Sequence, residues 1–236
     1  MNNFEYYNPV RVLFGAGELK RIGEEAKKLG KNICLVSYKE LNFLKPLMDK
    51  IERLLKEEGL NVFTFYEAEP NPEITTIARG ADYCRTVQAD VVIGVGGGSA
   101  MDAAKAIAAG VYYEGDLWNM VFSRHDHIDA VPPVKSLPTM MIPTLPATGS
   151  EMNNCAVVSN AALKEKSYIW STCLYPKTSI IDPELTLTLP PFQTACAAAD
   201  ILKSTRIFSF RTSSKTITAL ASRAMAFLRF PPSKDA

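Results

Sequence analysis

A cluster of glycines constrains this chain more than any other feature. The cluster lies at Gly94–Gly98, where an apolar run that starts at Asp90 ends and a helix is predicted to begin. A strand that is apolar throughout is expected when both faces of its sheet are covered. Glycines let a phosphate group approach the backbone, where amides and the positive end of the following helix bind anions. The pattern therefore predicts a phosphate-binding turn in an α/β protein.

Two polar residues near the cluster could contribute to the predicted site, but the cluster departs from the usual dinucleotide fingerprint. Ser99 would donate a further hydrogen bond, and Asp102 would either be an acid at the helix N-terminus or contact the ligand. Ser99 occupies the third glycine position of the usual dinucleotide fingerprint, and the cluster follows about the fourth strand rather than the first. The alternative is a turn that only packs tightly against the sheet. The strand before it and the helix after it favour the phosphate site.

Strands alternate with helices along the first half of the chain. Apolar residues at helical spacing predict helices that stop at Gly30 and Gly59, and a third helix after Pro72. The predicted strands are 10–14, 33–36, 60–66 and 90–95, and, after an irregular stretch that follows Gly110, 139–143, 155–159 and 178–181. A last helix is expected to begin near Phe192. This alternation indicates a parallel sheet with right-handed crossovers.

Composition excludes several classes of protein. The formal net charge of the 236 residues is +1, so no general attraction to nucleic acid is expected. No apolar run is long enough for a membrane span, and the N-terminus lacks the pattern of a signal peptide. The five cysteines are scattered and form no Cys-x-x-Cys motif, which favours a cytoplasmic location, and they are interpreted as small core residues. Trp118 and Trp170 are interpreted as core or interface residues.

The composition changes abruptly near Lys203. From there to Ala236 the sequence has seven Lys/Arg, one acid, ten Ser/Thr and no glycine. A shifted reading frame or a fusion is the favoured explanation, and a divergent C-terminus with its own role is the alternative; a short helix over 216–228 is possible. His125 and His127 form a His-x-His pair, but the charged residues around them indicate an exposed loop rather than a metal site.

Four ordered motifs resemble a known family over about residues 4–202. They are Gly96-Gly97-Gly98-Ser99 with Asp102 and Lys105, Pro70-Asn71-Pro72, Pro143-Thr144 through Thr148-Gly149-Ser150-Glu151, and Pro176-Lys177 through Asp182-Pro183-Glu184-Leu185 and Leu189-Pro190. Together they resemble the iron-containing (group III) alcohol dehydrogenases, in particular the butanol dehydrogenase branch. The resemblance implies a Rossmann-like α/β domain of the dehydroquinate synthase-like fold over 1–190, the start of a truncated helical metal domain over 191–202, and an atypical tail over 203–236.

The resemblance also implies a function and a set of site residues. Family members interconvert primary alcohols and aldehydes by hydride transfer with NAD(P), assisted by Fe²⁺ or sometimes Zn²⁺, and are expected to be homodimers. The residues that match its cofactor site are Gly97, Gly98 and Ser99 at the pyrophosphate, with Asp102 in the same motif, and Asn71, Thr144, Thr148, Asn153 and Lys166 along the cleft. No catalytic residue is assigned.

Two positions depart from the family pattern. Where NAD-using relatives carry an acid after the second strand, this chain has Tyr38 and Lys39, which favours NADP(H) over NAD(H). Asp200 matches the metal-binding Asp, but Ser204 stands where a His ligand is expected four residues later. Two alternative functions therefore stay open: a non-catalytic nucleotide-binding fragment, and a polyol or sugar-phosphate enzyme of the same superfamily, against which the Thr148–Glu151 loop argues.

Overall fold

A six-stranded parallel sheet forms the centre of the fold. The computed structural model describes residues 7–122 and 129–209, with 202–209 described by their backbone only. The strands of this sheet are β1 (Arg11–Phe14), β2 (Asn32–Tyr38), β3 (Asn61–Ala68), β4 (Val91–Gly96), β5 (Thr139–Pro143) and β8 (Thr178–Ile181). Their spatial order is β1-β8-β5-β4-β2-β3, and every neighbouring pair is parallel. The predicted parallel sheet is confirmed, and β4 lies in its interior as its apolar sequence indicates.

Helices cover both faces of this sheet. They are α1 (Ile22–Lys27), α2 (Lys45–Glu57), α3 (Ile74–Thr86) and α4 (Gly98–Gly110). On one face, α1 and α2 bury residues such as Ile22, Met48 and Ile51 against the strands. On the other face, α3 and α4 form a second core that includes Ile77 and Ile107. Burial of both faces supplies the main hydrophobic stabilisation of the fold.

Small residues bring α4 unusually close to β4. A Cβ on Gly94 would lie 2.8 Å from the Cβ of Ala104, closer than real Cβ atoms approach each other. The alanines of α4 are buried along almost its whole length. This close approach fixes the helix N-terminus at the carboxyl end of β4, where the predicted phosphate turn lies.

An antiparallel hairpin packs on the α3–α4 face. It consists of β6 (Cys155–Asn160) and β7 (Glu165–Trp170), paired from Cys155 with Trp170 to Asn160 with Glu165. Its inner residues Ala156, Val158 and Ile169 join the core beside α4. Strand β7 was not predicted, because Glu165–Trp170 buries only Ile169 and so has no apolar pattern.

The two tryptophans differ. Trp118 is 4% exposed, which confirms its predicted core position. Trp170 is 57% exposed, so it is not a core residue of this chain, and its interpretation as an interface residue stays a prediction. It lies on the outward face of β7, where alternate side chains point away from the core. The expectation for the cysteines holds for Cys34 and Cys84 and is wrong for Cys196, which is exposed.

The chain divides into two compact units. The first comprises Met1–Leu145 and Gly149–Thr188, and the second comprises Pro146–Thr148 and Leu189–Ala236. The second contains α5 (Pro191–Ser209), the helix expected near Phe192. Within the described part of the chain, no helix is both long and apolar enough to cross a bilayer. The His125–His127 pair and the helix expected over 216–228 lie outside the described residues.

Candidate functional site

The turn between β4 and α4 is built from backbone alone. Gly96 has φ +143°, a conformation that residues with side chains rarely adopt. A Cβ at this position would lie 2.8 Å from the Cβ of Ala100 and 2.9 Å from Cε2 of Tyr38. Gly97 precedes the first helical residue, Gly98, and so offers no side chain to cap the free amides of the first turn. These amides are the donors that a phosphate would use.

Tyr38, the last residue of β2, lies against this turn. Its hydroxyl oxygen is 3.1 Å from the position that a Cβ on Gly97 would take. Burial raises the pKa of the Tyr38 phenol, and the backbones of Gly97 and Ala100 oppose that rise by hydrogen bonding to it. Tyr38, which is predicted to lie beside the ribose, therefore also reaches the amides that would bind an anion. Lys39 follows it, is exposed, and donates its amide to the carbonyl of Ala68 at 3.1 Å.

A second group of predicted residues meets on the other side of Ser99. The amide of Asn71 donates to Ser99 Oγ at 3.3 Å, and Lys166 Nζ donates to Asn71 Oδ1. Asn71 has φ +58° in the turn between β3 and α3, and Lys166 lies on β7. The bond from Asn71 leaves the proton of the Ser99 hydroxyl for another acceptor. Asn71 and Lys166 are exposed, so their polar groups are accessible to a ligand.

Asp102 does not lie at the start of α4. It lies beyond the first turn of α4, which contains no acid, so its interpretation as an acid at the helix N-terminus is wrong. Its carboxylate accepts from Ser150 Oγ at 2.6 Å and from the amide of Val157 at 3.0 Å. Burial raises the pKa of Asp102, with Lys105 as the largest opposing influence. Asp102 thus connects α4 to the loop after β5 and to β6.

Lys105, to which sequence reasoning gave no role, makes a parallel connection. Its side chain is fully buried, and Nζ donates to the carbonyl of Asn153, to Asn153 Oδ1 and to the carbonyl of Cys155, each at 2.9 Å. These three bonds use all three protons of the ammonium group. Burial lowers the pKa of Lys105 to about 8 against the attraction of Asp102, Cys155 and Glu151. A lysine inside an alanine-rich helix is the signal that was available in the sequence.

Thr144 extends the site toward β5. Its amide donates to the carbonyl of Gly96 at 2.9 Å, and the residue is 5% exposed. Asn153 is partly buried, and its side-chain oxygen is taken by Lys105 and by the amide of Cys155. Thr148 is exposed and belongs to the second compact unit. These hydrogen bonds hold Thr144 and Asn153 in position within the first unit.

The residues present do not fit the metal that the resemblance implies. Asp200 is exposed on α5, and Ser204 follows it one turn later. Within residues 7–122 and 129–209, no group of three or more His, Cys, Asp or Glu side chains is arranged to hold a metal ion. A single exposed carboxylate does not hold a divalent transition metal against water.

The fold and the turn together define a class of protein. A parallel sheet with a glycine turn and a helix N-terminus at the carboxyl end of an interior strand is the arrangement of a nucleotide-binding α/β domain. A family model described as iron-containing alcohol dehydrogenase matches residues 9–183. The chain belongs to the iron-containing alcohol dehydrogenase family.

Several characterised relatives are similar over most of the chain. NADH-dependent butanol dehydrogenase A of Clostridium acetobutylicum is 42% identical over 87% of this chain and 51% of its own length. NADPH-dependent aldehyde reductase YqhD of Escherichia coli is 32% identical over 85% of this chain and 50% of its own length. The crystal structure of NADH-dependent butanol dehydrogenase A from Thermotoga maritima matches with a TM-score of 0.83 and 35% identity, over 95% of this chain and 55% of that one. The chain thus spans about half the length of the curated relatives it matches.

Proposed function

We propose that this chain is the nicotinamide dinucleotide-binding half of an oxidoreductase that interconverts primary alcohols and aldehydes. The observation that carries the proposal is the turn Gly96–Ser99, which lies at the carboxyl end of an interior strand and whose N-cap residue, Gly97, has no side chain to cap the helix amides. Relatives named as butanol dehydrogenases and an aldehyde reductase support the substrate class. The family resemblance supports a homodimer.

The strand order indicates which half of a bound dinucleotide would lie toward which strand. Strand β4 has β2 on one side and β5 on the other, so a pyrophosphate at Gly97, Gly98 and Ser99 would place one nucleoside toward each neighbour. The adenosine half would lie toward Tyr38 and Lys39, because a ribose reader normally follows the second strand of such a unit. The nicotinamide half would then lie toward Thr144 and Asn153, which both belong to the first unit.

The chain's own residues support NADP(H) as the favoured cofactor. Lys39 is exposed at the end of β2, where its ammonium group would attract a 2′-phosphate. Asn71 and Lys166 would bind the cofactor from the side of Ser99. The named relatives include users of NADH and of NADPH, so cofactor choice is a property that differs between members.

A second candidate function is dinucleotide binding without turnover. The observation that favours it is the lone, exposed Asp200. Without a Lewis acid, the alkoxide from which hydride leaves is not stabilised. The two candidates share the nucleotide site and differ in turnover with an aldehyde.

Calorimetric titration of the Gly97→Val variant with NADPH and NADH tests the shared proposal. A valine side chain would fill the space between Tyr38 and Leu145 and prevent backbone approach, so binding should be lost. The matched Gly97→Ala variant adds a single Cβ, 3.1 Å from the hydroxyl end of Tyr38, and should retain weakened binding. Unchanged affinity in Gly97→Val would show that the turn does not bind the dinucleotide.

A further inference from the structure

Two charged residues on one side of α4 hold the segment that the nicotinamide half would meet. Asp102 and Lys105 are three positions apart, so their side chains leave the helix on the same side. Asp102 accepts from Ser150 and Val157, and Lys105 donates to Asn153 and Cys155. Both residues lie beyond the first turn of α4. Both ends of segment 150–157 are therefore attached to the helix that begins at the phosphate turn.

The contacts of Asp102 and Lys105 are buried, so they fix the positions of the segments they join and do not present polar groups to a ligand. Lys105 is 0% exposed and Ser150 is 1% exposed, so a ligand cannot reach either polar group in this arrangement. The carbonyls of Asn153 and Cys155 would lose a charged donor if Lys105 were removed, which is costly for buried acceptors. The bonds thus fix the distance between two parts of the site that belong to different segments of the chain.

We propose that Lys105 is a positioning residue for the nicotinamide half of the cofactor, holding segment 150–157 at a fixed distance from the phosphate turn with the help of Asp102. This inference rests on the proposed dinucleotide site. The adenosine half lies on the opposite side of β4, toward β2, and makes no use of segment 150–157. Loss of Lys105 should therefore weaken one half of the cofactor contacts and leave the other half intact.

The test compares NADH with ADP, which carries the adenosine and the pyrophosphate but lacks the nicotinamide riboside. In the wild type, NADH should bind more tightly than ADP. In Lys105→Met, ADP affinity should stay within about two-fold, while NADH should lose about ten-fold or more, as expected when charged hydrogen bonds that order its site are removed. The control Lys50→Met makes the same change at an exposed position of α2 and should alter neither affinity.

A milder variant keeps the test decisive if Lys105→Met does not fold. Ser150→Ala removes only the hydroxyl that donates to Asp102 and should produce the same selective loss for NADH, at smaller size. Hydrogen exchange gives a readout without cofactor: the amides of Cys155 and Val157, which are bonded to Asn153 and Asp102, should exchange faster in either variant, while those of β4 should not.

The outcomes separate the inference from the proposal on which it rests. A parallel loss of ADP and NADH, or faster exchange throughout the sheet, would show a general effect on folding and overturn the positioning role. Unchanged binding of both ligands in Lys105→Met and Ser150→Ala would overturn it as well. If the wild type binds neither ligand, the dinucleotide site itself fails and the inference fails with it. If Gly97→Val abolishes binding while the Lys105 variant shows no selectivity, only the inference fails.

Discussion

The hydroxyl oxygen of Tyr38 lies 3.1 Å from the point at which a Cβ on Gly97 would stand, within reach of the amides at the start of α4. A side chain from one strand thus shares the donors that a phosphate group from a ligand would use. The relationship links the two strands β2 and β4 at their carboxyl ends. It also means that a bound pyrophosphate must either displace the phenol or share those amides with it.

The Tyr38→Phe variant should bind a nicotinamide dinucleotide more tightly than the wild type. Removing the hydroxyl frees the amides of Gly97 and Ala100 while the ring keeps its packing against Gly96. Because one hydrogen bond contributes about 0.5–1.5 kcal/mol net, affinity should rise about 2- to 10-fold. Calorimetry measures the change, and Tyr66→Phe, which loses only a bond to Glu52, is the control. Weaker binding would mean that the phenol binds the cofactor directly.

The Gly96→Ala variant should lose more stability than Gly59→Ala. Both glycines have positive φ, so each alanine carries backbone strain of about 1–3 kcal/mol. Only at Gly96 does the new Cβ also meet Ala100 and Tyr38, which adds roughly 1–3 kcal/mol of overpacking, whereas Gly59 has open space around it. Urea unfolding of both variants measures the difference. Equal losses would indicate that the turn relaxes easily.

Stability should increase with pH through the titration of Lys105. Its pKa is lowered from 10.5 to about 8 in the fold, so between those values the unfolded chain binds more protons than the native one. Unfolding free energy should therefore rise with pH in this window, by roughly 3 kcal/mol at most from this residue. Asp102, Cys155 and Glu151 face the same group, so the change is read as the difference between wild type and Lys105→Met from pH 7 to 10. A pH-independent difference would contradict the prediction.

The Lys39→Ala variant should lose affinity for NADPH and keep its affinity for NADH. An exposed ammonium beside a 2′-phosphate contributes a charge-assisted bond, so the NADPH constant should weaken about 5- to 10-fold. Lys31→Ala, exposed before the start of β2, is the matched control. Tighter binding of NADH than NADPH by the wild type would rule out the preference itself.

Ferrous iron should not raise the turnover of butyraldehyde with NADPH or NADH by this chain. Asp200 offers a single exposed carboxylate, which is too few ligands to retain the ion. The assay follows cofactor oxidation with and without iron, with Asp200→Ala as the comparison. Iron-stimulated turnover would mean that His125, His127 or other residues outside the described part of the chain provide ligands, and would favour the catalytic candidate over binding alone.

Local patterns in the sequence were sufficient to predict much of this fold. The apolar run over 90–95 and the glycine cluster at its end indicated β4 and the start of α4, and 139–143 and 178–181 match β5 and β8. Strand β7 was not predicted, because a single buried residue, Ile169, gives the segment no periodic pattern of apolar residues. Its position depends on contacts of the hairpin with α4, which lies far away in the sequence.

The same distinction applies to the candidate site. Gly97 and Ser99 could be singled out because a strand, a turn and a helix N-terminus follow one another in sequence. The bonds of Asp102 and Lys105 could not be predicted from the sequence. Their partners Ser150, Asn153 and Val157 come from a separate segment whose path is set by tertiary packing. Residue type alone does not distinguish a charged side chain that is buried from one that binds a ligand.

The pairing of β1 with β8 has a consequence for how the chain folds as it is synthesised. Arg11 is aligned with Thr178, so β1, the first described strand, gains its partner β8 only after the other strands of its sheet have been synthesised. The edge of β5 that receives β8 is also open during that time. Unpaired strand edges are sites of aggregation, and pairing across long sequence separations is slow. The edges of β1 and β5 should therefore stay unpaired during synthesis until Thr178–Ile181 emerges and completes the described sheet.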